Sequence, residues 1–179
     1  MTLLPFYKIF EQRYTAYWRV YTPAEWEKRN AELAAVAARR KEIELGTIDA
    51  VSVGESQSER DHNLRHEGAS QGFFEGRRTR EARNGWFSYE LKVSDDRAMT
   101  LVCTYRGSEG RRRSFEVLVD GEKITTQSLE NHPTESFDVE YPLPESLTRG
   151  KGRVTVKFQA QPDSIAGSVL DVRIVGREK

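Results

Sequence analysis

Along the chain the spacing of apolar positions changes character, and the change divides it. Residues 3–21 are unusually aromatic and hold an alternating run, Tyr14, Ala16, Trp18 and Val20. Residues two apart line one face of an extended chain, so this run predicts a short strand that needs a sheet to join. From Pro23 to about Leu45 the apolar residues Trp26, Leu33, Val36, Ala37 and Ile43 form a narrow helical stripe, with Glu, Lys and Arg on the other faces. Thr22 is placed to cap this helix, Pro23 suits its first position, and Glu25 stands where a capping box puts its carboxylate. Arg39, Arg40 and Lys41 lie in the last turns, where the dipole favours cations, and Gly46 is expected to take the left-handed position beyond the end. At about 1.5 Å per residue the helix is a rod of roughly 33 Å. With so narrow a stripe it is expected to lie across a surface or to bridge two bodies, through a limited contact made by Trp26, Leu33, Val36 and Ile43.

From Thr47 the period is two, and Pro, Gly, Asn and Asp cut the chain into short pieces. The expected strands are residues 47–53, 86–93, 99–106, 114–119, 123–129, 136–141, 153–160 and 169–175. Asp120-Gly121 is the dipeptide of a type I′ hairpin. Parity assigns Phe87, Tyr89, Leu91 and Val93 to one inward face, with Met99, Leu101, Cys103 and Tyr105, then Phe115, Val117 and Val119, then Val154, Val156 and Phe158. The fold class that follows is mainly β: an antiparallel β-sandwich of the jelly-roll kind, preceded by one long α-helix and a short N-terminal β segment. Three parts are expected: residues 1–21 as the end of an upstream domain, 22–46 as a linker helix, and 47–179 as the sandwich. Residues 54–84 lack periodicity and read as a long polar loop with Gly54, Gly68, Gly72 and Gly76, the first place to look for a site.

Composition narrows the function classes. In 179 residues, 28 basic side chains balance 28 acidic ones, so no global field draws the chain to nucleic acid or to an anionic membrane. No run approaches the roughly 18 apolar residues of a membrane span. One cysteine, Cys103, excludes an internal disulfide and a multi-cysteine metal site within this chain. Its parity places it in a buried strand, where a thiol packs as a small apolar group rather than reacting.

His62 and His66 are four apart with Glu59, Asp61 and Glu67 nearby, a weak metal-like cluster in a stretch that reads as loop and lacks H-E-x-x-H. The remaining histidine, His132, stands apart. Arg77, Arg78, Arg80 and Arg83, and the triplet Arg111 to Arg113, can contact phosphate or carboxylate but read as solvated loop charge. Trp86 falls on the parity of Ser88, Glu90 and Lys92, opposite the core set. An indole there suits stacking on a sugar ring or a protein interface, unless the 54–84 segment or the helix buries it.

The runs GESQSERDHNLRHEGASQGFFEGRRTREARNGWFSYELKV, LVCTYRGSEGRRRSFEVLVDGEKI, FDVEYPLP and VTVKFQAQPDSIAGSVLDVRI resemble the C-terminal β-sandwich of glycoside hydrolase family 127, the β-L-arabinofuranosidase family. LPFYKIFEQRYTAYWRVY is similar to the stretch that ends the preceding part of such enzymes. Where many relatives carry a His-Asp pair, this chain has Phe10 and Glu11. The resemblance implies that catalysis belongs elsewhere: in these enzymes an upstream (α/α)₆ barrel carries the zinc-bound cysteine nucleophile and the catalytic glutamate. Cys103 does not match that motif, so the chain is expected to be a C-terminal fragment with no catalytic residue.

The resemblance implies a galactose-binding-like sandwich that serves as a non-catalytic accessory module, its parent enzyme periplasmic or secreted. On one reading it binds a plant-type oligosaccharide, with Trp86 and Tyr105 stacking and Arg78, Arg106, His62 and Asn63 bonding hydroxyls. No cofactor is expected beyond a structural calcium at the sheet edge. On the other reading the module is structural, packing on the parent's catalytic domain or forming a dimer. Fold alone does not choose between them.

Overall fold

The computed structural model describes residues 20–107, 113–130, 132 and 134–177. It divides into two compact units, Met1–Lys41 and Glu42–Lys179. Most of the expected N-terminal strand, Tyr14 to Trp18, and the departure at Phe10 and Glu11 lie outside the described residues.

Helix α1 spans Pro23–Gly46. Its start is a reciprocal capping box: the Thr22 N–H donates to Glu25 Oε2 at 2.8 Å, and the Glu25 N–H donates to Thr22 Oγ1 at 3.3 Å. Those two bonds satisfy donors that the first turn leaves free. The expected stripe does not become a buried face. Trp26 is 51% exposed, Leu33 49% and Val36 67%, and Ile43 alone of the set is buried. The last turn carries no basic residue, because Arg39, Arg40 and Lys41 stand before it.

Gly46 is not left-handed as expected. The helix runs straight into a strand, and the glycine serves close approach instead: a Cβ there would meet Val175 Cγ1 at 2.9 Å. The Thr47 hydroxyl donates to Ile43 O at 2.6 Å, satisfying one of the helix's terminal carbonyls. Among the described residues no helix is long and apolar enough to cross a membrane.

Among the described residues the second unit forms a nine-stranded antiparallel sandwich. Its strands are β1 (Thr47–Ser52), β2 (Arg65–Phe74), β3 (Arg77–Lys92), β4 (Ala98–Tyr105), β5 (Ser114–Val119), β6 (Glu122–Ser128), β7 (Phe137–Pro142), β8 (Arg153–Ala160) and β9 (Ile165–Arg177). Two short helices interrupt them, α2 (Ser56–Asp61) and α3 (Glu145–Thr148). The hydrogen-bonded order is β6-β5-β8-β3-β9-β4-β7, with β1 beside β9 and β2 beside β3.

Two long strands belong to both layers. The second half of β3, from Trp86, pairs with β8, whereas its first half, around Arg80 to Arg83, pairs with the start of β9. Beyond Val169, β9 pairs with β4 and β1. One layer is therefore β6-β5-β8-β3-β2 and the other is β1-β9-β4-β7.

Between the layers lie the side chains that parity assigned inward: Phe87, Tyr89, Leu101, Cys103, Tyr105, Phe115, Val117, Val156 and Phe158 are all at 0% exposure. Phe87 stacks on Phe158 with centroids 5.0 Å apart, and Phe115 meets Tyr105 and Phe158 at tilted angles, the offset geometries that aromatic quadrupoles favour. Asp120 and Gly121 both have positive φ, 50° and 84°, which makes the β5–β6 connection the expected tight hairpin.

The 54–84 segment is not a loop. It holds α2, all of β2 and the first half of β3. Strand β2 hid from periodicity because it borders the layer through β3, and none of its ten residues is fully buried. In the first half of β3 the alternation fails because Thr79, Arg80 and Ala82 are all buried.

Candidate functional site

The outer face of the β8-containing layer uses the residues that the core does not. Trp86, Gln159 and Glu116 form one cross-strand row, and Ser88, Lys157 and Leu118 form the next. Glu67 of β2 stands opposite Trp86. The backbones of β2 and β3 nearly touch here, since a Cβ on Gly85 would lie 2.1 Å from Glu67 O. A bulge after Glu67, with Gly68 at φ 64°, completes the arrangement. The half-buried Trp86 donates its indole N–H to Glu67 Oε2 at 3.1 Å, and the Lys157 ammonium sits 4.4 Å from the ring centroid. An aromatic surface is thus flanked by a carboxylate, an ammonium and, from Gln159, an amide.

At the other end of this part of β3, Glu90 Oε1 accepts from Asn63 Nδ2 at 2.7 Å, and the Glu90 N–H donates to His62 O at 2.8 Å. Asn63, at φ 51°, and His62 follow α2 directly. The two ring nitrogens of His62 face Ser58 O at 2.6 Å and Asp49 Oδ1 at 3.2 Å. Burial raises the pKa of Asp49, but the Lys92 N–H and His62 outweigh it and hold the carboxyl below its ordinary value.

Helix α2 is anchored by a buried ion pair that sequence reasoning missed. Glu59 accepts from Arg80 Nε at 2.7 Å, Arg80 Nη2 at 2.6 Å, the Tyr89 hydroxyl at 2.8 Å and the Gly54 N–H at 2.9 Å. Burial pushes the Glu59 carboxyl up, and these donors together bring it below its usual value. Arg80, read as solvated charge, is 5% exposed. A second buried arginine, Arg113, donates to Glu81 Oε2 at 2.7 Å and to Gly167 O at 3.2 Å. No sequence signal singles out Arg80, because the adjacent Thr79 is buried as well and the alternation fails there.

The six residues expected to bind sugar do not converge. Trp86, His62 and Asn63 lie along the second half of β3 and the segment that leads into β2. Arg78 is exposed at the start of β3, where it donates to Gly54 O and Gln71 Oε1, both at 3.5 Å. Arg106 lies over the Phe74 ring, 4.7 Å from its centroid. Tyr105 is not available for stacking: it is wholly buried, its hydroxyl 3.0 Å from that of Tyr141, because it shares the inward parity of Met99, Leu101 and Cys103. Burial pushes the Cys103 thiol well up, so it persists as the neutral thiol.

His66 is exposed on β2, and His132 stacks on Phe137 at 4.0 Å. Among the described residues no group of three or more His, Cys, Asp or Glu side chains is placed to hold a metal ion.

Solved structures are similar to the sandwich at low sequence identity. A family 35 carbohydrate binding module from Clostridium thermocellum matches with a TM-score of 0.50 and 12% identity, over 73% of this chain and 100% of that one. A family 35 module from Paenibacillus barcinonensis matches at 0.47 and 9%, over 64% of this chain and 93% of that one. An exo-beta-1,3-galactanase from Phanerochaete chrysosporium matches at 0.47 and 13%, over 63% of this chain and 27% of the enzyme. No curated protein matches the sequence. Family membership comes from the sandwich together with the end of α1: residues 42–175 match the family described as Family of unknown function (DUF6805), and the chain belongs to it.

Proposed function

We propose that this chain is a non-catalytic accessory module that binds carbohydrate through the Trp86 face, attached to a glycoside hydrolase of the family 127 type. The observation that carries the reading is the Trp86 indole on an outer sheet face, ringed by Glu67, Lys157 and Gln159. A sugar ring has an apolar C–H face and a rim of hydroxyls, and this surface offers an aromatic plane and polar partners for each. Lys157 lies over the ring. A cation–π contact at a half-buried ring is worth about 0.5–2 kcal/mol, so a sugar can displace the ammonium and then accept a hydrogen bond from it. The family 35 carbohydrate binding module from Clostridium thermocellum, similar in fold, supports the reading.

The test uses Trp86 as the sole indole, in a Trp18→Phe, Trp26→Phe background, titrated with arabinose- and galactose-containing oligosaccharides. Saturable quenching or a shifted emission maximum is expected, together with loss of binding in Trp86→Ala. No response across the panel overturns the reading. Release of p-nitrophenol from p-nitrophenyl arabinofuranosides or galactosides, lost on a point mutation, would show that the module is not free of catalysis.

A second reading, a structural module that packs on its parent's catalytic domain or dimerises, is favoured by the apolar side chains that α1 leaves exposed, Trp26, Leu33, Val36 and Leu45. Sedimentation of the chain across concentrations tests the dimer. Concentration-dependent association that Leu33→Asp or Val36→Asp abolishes supports it.

A further inference from the structure

We infer a second glycan contact, for a sugar that carries an oxyanion, in the depression onto which Arg77 and Arg78 open; the inference rests on the carbohydrate-binding reading above and deepens it. The depression measures about 290 Å³ and is lined by Ser52, Val53, Glu55, Arg77, Arg78 and Leu170. That is the small end of ligand sites, suited to one sugar ring rather than a long chain.

Both arginines retain donor capacity. Arg78 reaches only the neutral oxygens of Gly54 and Gln71, each at 3.5 Å, and among the described residues it makes no ion pair. Arg77 Nη2 reaches Asp171 Oδ2 at 3.3 Å, but Asp171 is held more closely by Arg173, at 2.8 Å and 3.2 Å. A guanidinium presents five donors in a planar fork that matches a carboxylate or a sulfate.

The remaining lining discriminates among anions. Glu55 and Ser52 accept hydrogen bonds from hydroxyls, whereas Glu55 repels a bare anion that has none to offer. Val53 and Leu170, 4% and 2% exposed, close the base of the depression. Inorganic sulfate, with no hydroxyl at neutral pH, satisfies only the arginines. An acidic sugar satisfies the arginines and the two acceptors together.

The position of Arg78 is built into the fold. Gly54 has φ +79°, and a Cβ there would lie 2.5 Å from Arg78 Cβ, so the arginine stem runs against bare backbone. The Gly54 N–H is in turn held by Glu59 at 2.9 Å, and Glu59 by Arg80. The buried pair thus anchors the backbone that aims the exposed guanidinium, which lowers the ordering cost of binding.

The test titrates the full chain by calorimetry with an oligogalacturonate, a sulfated galacto-oligosaccharide and a neutral galacto-oligosaccharide. At least one acidic ligand should bind at least tenfold more tightly than the neutral one, and its affinity should fall as NaCl rises from about 50 to about 500 mM. Which acidic ligand does so separates a carboxylate from a sulfate. Arg78→Gln, with an unchanged circular dichroism spectrum, should weaken that ligand about tenfold and leave the neutral one unaffected. Arg77→Gln, checked in the same way, should act in the same direction. The inference is overturned if acidic ligands bind no more tightly than neutral ones, or if neither arginine variant weakens them. Should Trp86→Ala remove neutral and acidic binding alike while both arginine variants bind normally, the Trp86 reading stands and the second contact does not. Absence of binding to any of the three overturns both.

Discussion

Arg80 grips Glu59 with two parallel hydrogen bonds, 2.7 Å and 2.6 Å, with both side chains almost wholly out of water. Removing two charges from water is costly, and the pair holds because the Tyr89 hydroxyl and the Gly54 N–H occupy further acceptor sites of the carboxylate. Breaking it leaves a charge buried without its partner. Glu59→Ala should destabilise the sandwich by about 3–5 kcal/mol, measured by urea unfolding. A loss below 1 kcal/mol would show that water reaches the pair.

The same carboxyl sets an acid limit. The folded-state pKa of Glu59 lies below its ordinary 4.5 and that of Asp49 below its ordinary 3.8, so each stabilises the fold fully above those values. That contribution is lost as pH falls through the lower, folded values. Stability should therefore show no loss from these two groups between neutral pH and about pH 5, then drop on further acidification. Glu59→Gln should shorten the drop, and an acid limb of unchanged depth in that variant would assign it to other carboxylates.

Much of this architecture was legible from alternation alone. Strands β5 and β8 occupy the expected residues, and the inward sets on β3, β4, β5 and β8 are the buried ones. What escaped was β2 and the first half of β3. Periodicity reports a strand only where one face is dry and the other wet; β2 is wet on nearly all its positions, whereas at Thr79 and Arg80 adjacent residues are both dry. The Glu59–Arg80 pair escaped for a related reason, since a charge joined to a partner 21 positions away looks the same in sequence as a solvated one. Trp86 was placed on its outer face by parity, but Glu67 and Lys157 beside it come from strand pairing that no local pattern encodes.

Gly85→Ala should separate β2 from β3. The new methyl would stand 2.1 Å from a backbone oxygen, which cannot swing aside as a side chain would. A loss of about 2 kcal/mol is expected, with hydrogen exchange accelerated in residues 65–74 before 99–105. Uniform acceleration would mean that β2 is bound into the central core.

Cys103→Ala should leave sugar binding intact and cost about 1 kcal/mol, the price of a small cavity in a packed layer. Native protein should resist iodoacetamide until it unfolds, because the buried thiol is held neutral. Fast alkylation under native conditions would contradict that burial.

Strands β3 and β9 each run unbroken from one layer into the other. A shearing load on either layer is therefore carried along covalent backbone as well as across the side-chain interface. If a bound polymer tugs at the Trp86 face, β3 conveys the tension to the opposite layer, as a seam stitched through two fabrics resists being peeled where a glued one would part.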